Sequence, residues 1–285
     1  MSDRTDETTN ASGRGLARSR ELLRVAIPPA LVALAIILLW YGITFFVLEP
    51  DRRFLLPPPH GVIQEGILDG DVLAEIMGGL YRTAMVAGLG LAIAFALGFS
   101  MALVMSQAKW IERSLYPWAV VCQTVPILAL VPLLGFWFGF GLMSRVTVCV
   151  IIALFPIIIN SLTGLQGADP RLHDLLTLHN AGRWIRALKL QIPAARPLIF
   201  TGLRTSAGLS VIGAIVGDFF FGRGQPGLGI LLDRYSRRLR SEELLAAVIA
   251  ACLLGVVAFW IFGVLGRRAV GHWDPSWAGE RNKNE

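Results

Sequence analysis

Three cysteines (Cys122, Cys149, Cys252) and four histidines (His60, His173, His179, His272) are the side chains from which this chain would build a metal site or a nucleophile. Their spacing builds neither. Every cysteine falls inside an apolar run and no C-x-x-C occurs, which speaks against a disulfide framework and against zinc. No H-E-x-x-H is present, and the histidines are scattered. No catalytic residue and no metal ligand is assigned. The only lysines are Lys109, Lys189 and Lys283, and none follows a glycine. A phosphate-cradling G-x-x-x-x-G-K-[ST] is therefore missing. Any ATP-driven work must be done by another subunit, and no cofactor is expected on this chain. The remaining chemistry lies in polar groups set within apolar runs: Gln123, Thr124, Asn160 and Ser210. Such groups either face a pathway or make ordinary interhelical hydrogen bonds.

The elements that carry these residues belong in a membrane. Of 285 residues 54% are hydrophobic and 16% charged, with mean hydropathy +0.61. A soluble domain carries roughly a quarter charged residues. Five long runs contain no charge at all: residues 25–48, 83–108, 114–144, 146–168 and 244–266. About 20 apolar residues cross the roughly 30 Å of hydrocarbon. A sixth run, 198–221, is interrupted only by Arg204 and Asp218, each near an end. From there a charge reaches the interface, so Asp218 reads as an interfacial acid. Barrel strands would alternate, and these strings do not. The expectation is an all-α integral membrane fold with six transmembrane helices, at 25–48 and at about 80–106, 115–140, 146–166, 198–221 and 244–266.

Residues 1–24 are polar and read as a disordered tail. The first span follows a basic flank, as a signal peptide would, but it is longer than a signal core and lacks an A-x-A-like site, so it reads as a retained anchor. With the N-terminus inside, the segments 1–24, 109–113, 167–197 and 267–285 hold 16 Lys and Arg, against 8 in the segments outside. That ratio favours N-in and C-in, and it explains the net charge of +6 without a nucleic-acid partner. Five arginines between 223 and 240 run against it, and nothing in the sequence accounts for them beyond the tolerance of late loops. In the external segment 49–79, Leu56-Pro57-Pro58-Pro59 forms a stiff exit, and 61–79 reads as a short amphipathic helix at the interface. Pro117, Pro126 and Pro132 kink or break the third span, which either lines something wet or simply packs bent. Gly202, Ser206, Ser210 and Ala214 form a small-residue stripe on the fifth span. It serves either packing within one subunit or a dimer or pore face.

The segment 167–197 carries the most information. Asp169-Pro170 is a helix start, with an acid at the cap and proline at the first helical position. Leu172, Leu175, Leu176 and His179 then share one face. Asn180-Ala181-Gly182 supplies a residue of positive φ to end the helix. A second short helix follows, with Trp184, Ile185 and Leu188 on one side and Arg183, Arg186 and Lys189 on the other. Pro193 is expected to stop it and Pro197 to open the fifth span. Two short amphipathic helices outside the membrane suit a groove on a partner protein, or lie flat on the lipid through their arginines.

This segment resembles the EAA loop of bacterial ABC-transporter permeases of the binding-protein-dependent type. Their pattern is E-A-A, three residues, G, nine residues, a branched apolar residue, one residue, then L-P. Asp174 matches the Glu, Asn180 the Gly, Leu190 the apolar position and Ile192-Pro193 the Leu-Pro. Residues 194–204 (AARPLIFTGLR) are similar to the run that follows in the family. Leu175-Leu176 replace the paired alanines, and Asn180 tolerates the left-handed conformation that glycine would supply. The resemblance spans roughly 55–272. Tyr116-Pro117, Gln123, Pro126, Ala129, Pro132-Leu133 and Trp137-Phe138-Gly139 look like the third span of the nitrate/sulfonate/taurine branch, which also holds permeases for pyrimidine precursors and riboflavin. Phe219-Phe220 and Gly227-Leu228-Gly229 look like the segment after the fifth span, with Asp218 in place of an acid that is usually Glu.

The resemblance implies the permease subunit of an ATP-driven importer in the bacterial cytoplasmic (inner) membrane, with a permease core at 80–266. Implied partners are two ABC-type ATPase subunits carrying ATP and Mg, an extracytoplasmic solute-binding protein, and a second permease subunit, in a homodimer or with a relative. The coupling residues would be Leu172, Asp174, Leu175, Leu176, Asn180, Gly182, Trp184 and Pro193. Asp174 would make a charged or capping contact that fixes the helix. A stand-alone secondary transporter and an integral-membrane enzyme are the alternatives. The first lacks repeats and intramembrane charge, and the second lacks a cluster of reactive side chains. The sequence leaves open whether the solute is a sulfonate, taurine, nitrate or an aromatic vitamin precursor.

Overall fold

A computed structural model describes residues 27–222 and 225–271. The expected N-terminal tail (1–24), Arg223 and the tail beyond Gly271 lie outside the described residues. Among those described, regular structure is helical throughout and no strand occurs. Five helices are long and apolar enough to cross a membrane: α1 (Ile27–Val47), α3 (Gly70–Ser106), α6 (Leu142–Gln166), the helix running Arg183–Phe220, and α11 (Ser241–Val270). A sixth span results if α4 (Lys109–Thr124) and α5 (Ile127–Phe138), bent by 98° at their junction, count as one. The break falls at Val125-Pro126, where proline removes a donor and extends the residue before it.

Four boundaries differ from the sequence expectation. The supposed amphipathic helix 61–79 is two elements. Its first part belongs to the short helix α2 (Pro59–Gly61, widening through Val62–Ile67). Asp69 then caps a new helix, accepting from the amides of Asp71 (2.9 Å) and Val72 (3.2 Å). The second long helix thus begins at Gly70, ten residues before the expected 80, because a good N-cap outweighs an amphipathic pattern that would have run on. Pro193 stops nothing. α8 (Arg183–Arg186) passes through a wider turn (Ala187–Gln191) into α9 (Ile192–Phe220), with Pro193 in the first turn of α9. The wide turn absorbs the hydrogen bond that proline cannot make. The fourth span starts at Leu142, so Arg145 lies inside a helix instead of in a loop. Finally, the expected external loop 222–243 contains α10 (Leu228–Arg237).

α3, α6 and α9 form the centre of the bundle, packed through Leu91, Ala94, Ala153, Ile157, Leu203 and Ala207. The small-residue stripe of α9 is the α6–α9 seam. A Cβ at Gly213 would sit 2.8 Å from the Cys149 Cα, and Ser206 donates to the Ala153 carbonyl at 2.7 Å. The two readings of the stripe resolve to packing within this chain. α11 lies along the other side of α9, and α10 crosses one end of the bundle against α3, α9 and α11 through Leu228, Leu231 and Tyr235. α1 stands aside with most of its residues exposed. It is pinned near its C-terminal end, where Trp40 Nε1 donates to Pro57 O (3.0 Å) and Thr44 Oγ1 to Leu56 O (3.1 Å). The proline-rich exit is held there by backbone acceptors.

Candidate functional site

At the end of the bundle away from α10, α7 (Pro170–Leu178) stands clear with no buried residue. Asp169 caps it, accepting from the Arg171 amide at 2.9 Å, with Pro170 in the first turn. Asn180 ends it in the left-handed region (φ 50°), and the Ala181 and Asn180 amides return to the Leu176 and Thr177 carbonyls at 2.9 Å. Gly182 precedes α8 in extended conformation. Arg186 Nε reaches back to Ala181 O at 2.9 Å and fixes α8 to that turn. Leu172, Leu175, Leu178, Trp184 and Leu188 are all exposed, Leu178 at 82% and Trp184 at 64%. Leu176 is half-buried, while Ala187 and Leu190 turn into the bundle. Asp174 is exposed and has no ion pair among the described residues. The capping role belongs to Asp169, because a cap must sit one residue before the first turn. The result is an apolar surface on a polar stalk, with nothing among the described residues to cover it.

The elbow between α4 and α5 opens a pocket of about 250 Å³ against α6 and α9, lined among others by Gln123, Ile151, Phe155 and Leu209. Of the four polar residues singled out in the sequence, Gln123 alone lines it. Thr124 donates to its own helix at Val121 O (3.0 Å), and Asn160 to Pro156 O (2.8 Å). Ser210 is buried in the α6–α9 seam and donates to Ala207 O at 2.9 Å.

The opposite end holds what the sequence reading missed. Asp218, expected at an interface, and Arg145, expected in an external loop, are both buried and paired, with Arg145 Nη1 2.8 Å from Asp218 Oδ1. Arg145 also donates from Nε and Nη2 to the Phe221 carbonyl, at 3.0 and 2.6 Å. Thr83 donates to Asp218 Oδ2 at 3.0 Å and accepts from the Leu228 amide at 2.8 Å. Gly227-Leu228-Gly229 closes over the pair, so close that a Cβ at Gly227 would lie 1.7 Å from Asp218 Oδ2. That contact explains why glycine stands there. A burial signal was present: one cation divides the two long runs 114–144 and 146–168, and one acid closes another.

α10 is tied down by further charges. Arg234 pairs with Glu75, whose other oxygen accepts from the Tyr235 hydroxyl at 2.7 Å. Arg237 pairs with Asp233 at 2.8 Å, and Arg240 with Glu243. Of the five unexplained arginines, Arg234 thus fastens α10 to α3, while Arg237 pairs within α10 and Arg240 within the first turn of α11. Burial pushes the Tyr235 phenol above its usual range, and the bond to Glu75 pushes it further the same way. Among the described residues no three His, Cys, Asp or Glu come together as metal ligands would.

Comparison with known proteins agrees with this architecture. The family model described as "Binding-protein-dependent transport system inner membrane component" matches residues 72–271. The chain is similar to a formylaminopyrimidine transport permease of Halalkalibacterium halodurans, 30% identical over 234 residues, which is 82% of this chain and 91% of that one. It is similar to a riboflavin transport system permease of Chloroflexus aurantiacus, 32% identical over 168 residues (59% and 62%). A putative aliphatic sulfonates transport permease of Bacillus subtilis is 29% identical over 233 residues (79% and 80%).

Proposed function

On the premise that the chain belongs to the family of binding-protein-dependent transport system inner membrane components, and so is a multi-pass membrane permease and not an enzyme, we propose that it is one permease subunit of an ATP-driven importer, coupled through α7–α8 to a separate ABC-type ATPase. The observation that carries this reading is the α7–α8 surface. Leu172, Leu175, Trp184 and Leu188 are exposed on a stalk at the position of the EAA pattern, with no partner among the described residues. An amphipathic helix presenting such anchors fits a groove. ATP binding would draw two such stalks together and swing two permease bundles as rigid bodies, opening the pathway to the far side. The pocket at the α4–α5 elbow, with Gln123, is the candidate stretch of that pathway. Both termini lie inside, which puts α10 and the Arg145–Asp218 pair at the outer face, where a solute-binding protein would deliver its cargo. The chain pairs with a second copy of itself in the cytoplasmic membrane. The relatives named for formylaminopyrimidine, riboflavin and aliphatic sulfonates frame the cargo as a small aromatic vitamin precursor or a small sulfonate- or nitrate-like anion. The stand-alone transporter reading would need a reachable coupling acid, and Asp218 is buried against Arg145 and Thr83.

The test is affinity purification from the native host in mild detergent. Recovery of an ABC-type ATPase with the wild-type chain, and its loss when Leu175 and Leu176 are both changed to Glu, is the expected outcome. If the doubly changed chain still recovers the ATPase and still supports uptake, the coupling assignment fails. A ligand screen on any co-purifying binding protein would then name the solute.

A further inference from the structure

One intramembrane cation, Arg204, has no acid to answer it among the described residues. Arg204 lies on α9 with its Nε buried and without a hydrogen-bond partner, and its guanidinium rests 3.9 Å over the Phe259 ring of α11. One turn along, a Cβ at Gly263 would come within 3.3 Å of that Nε, so Gly263 leaves the space the side chain occupies. Phe259, Gly263 and Arg267 follow at four-residue steps on one side of α11, which places Arg267 about 6 Å beyond Gly263 along the axis. Arg267 and Arg268 are exposed. Neither residues 192–206 of α9 nor residues 244–270 of α11 include an Asp or Glu. The ring face compensates a desolvated guanidinium only in part. Around the site Val256, Trp260, Ile261 and Leu265 are exposed, the kind of surface that acyl chains cover.

We infer that the cleft between α9 and α11, marked by Arg204 and Arg267, holds the phosphate of an anionic phospholipid headgroup from the cytoplasmic leaflet. Arg204 and Arg267 lie along one side of α11 about one to two turns apart, a spacing at which an anion between them lowers their mutual repulsion, and the planar fork of arginine matches phosphate oxygens two at a time. Basic clefts between spans on the cytoplasmic side suit such headgroups, and Trp260 stands where interfacial aromatic residues anchor. The choice of leaflet rests on the C-terminus-in orientation proposed above.

Native mass spectrometry of the purified full chain, titrated with phosphatidylglycerol, phosphatidylcholine and inorganic phosphate, tests the inference. Phosphatidylglycerol should be retained over phosphatidylcholine. Arg204→Gln and Arg267→Gln should each weaken it about five-fold, Arg204→Lys, which keeps the charge but not the fork, should fall between wild type and Arg204→Gln, and Arg52→Gln, at the other end of the molecule, should change nothing. Equal retention of both lipids, or indifference to both Gln changes, overturns the site. Inorganic phosphate binding with the same affinity and the same Arg204 dependence overturns the lipid. Weakened self-association in Arg204→Gln with lipid binding unchanged would assign the counter-charge to a second copy, and also overturns it. Orientation is read separately, by labelling Arg268→Cys with an impermeant maleimide after the native cysteines are changed to Ser. Labelling from outside would sink the leaflet and the proposed topology while leaving the detergent result standing.

Discussion

The two ends of this bundle treat their special residues in opposite ways. At the α10 end, charge is answered within the chain: the buried Arg145 by Asp218 and Phe221, the buried Asp218 by Thr83, and the half-buried Glu75 by Arg234 and Tyr235. At the α7 end, apolar side chains from Leu172 to Leu188 are exposed and answered by nothing among the described residues. A buried charge without its partner is expensive, so the first end must be complete in one subunit. An exposed leucine costs little alone, so the second end can wait for another protein. The comparison separates a region built for integrity from one built for association.

Substitutions at five positions would break or sharpen that contrast. Asp218→Ala strands a buried guanidinium and should lower stability by about 3–5 kcal/mol, read as thermal unfolding in detergent. Replacing the pair together, with Asp218→Ala and Arg145→Met, should recover most of that loss. A small effect of Asp218→Ala alone would mean that the pair is wetter than its burial indicates. Trp184→Ala should leave unfolding unchanged and weaken ATPase association by roughly 2 kcal/mol, about 30-fold, in a pull-down titration. A change in unfolding without a change in association would move Trp184 to the integrity side. Asn180→Val forces a branched residue into the left-handed region and should cost about 1–2 kcal/mol, whereas Asn180→Gly should be nearly neutral. Tyr235→Phe removes one hydrogen bond to Glu75 and should cost about 1 kcal/mol, seen as faster amide exchange in α10. The raised phenol gives this contact a pH sign. The folded form holds its proton where an unfolded tyrosine, near pH 10, has begun to lose it. The contribution is therefore intact below that value and is lost as pH rises through the folded one.

Most of the fold was legible because membrane spans announce themselves one helix at a time. An apolar string near 20 residues needs no knowledge of its neighbours. The break at Pro126 and the left-handed Asn180 were legible for the same reason, as each is a property of the local backbone. The cap at Asp69 is also local, but the amphipathic pattern over 61–79 masked it. Pro193 was misread because proline forbids one hydrogen bond and not a helix, and the adjoining wide turn found another way through.

What the chain determined by itself, then, is which helices are long and apolar enough to cross, where the stalk stands out and which loop pattern it carries. Hydrophobic length, caps and proline act within a few residues and need no tertiary context. Only the tertiary structure decided which charges are interior and which small residues form a seam. Arg145 and Asp218 are 73 positions apart, and their burial becomes tolerable only when α6 and α9 bring them to 2.8 Å under the glycines of the α10 loop. The free energy of an ionised group depends on what faces it in space, and sequence distance carries no record of that.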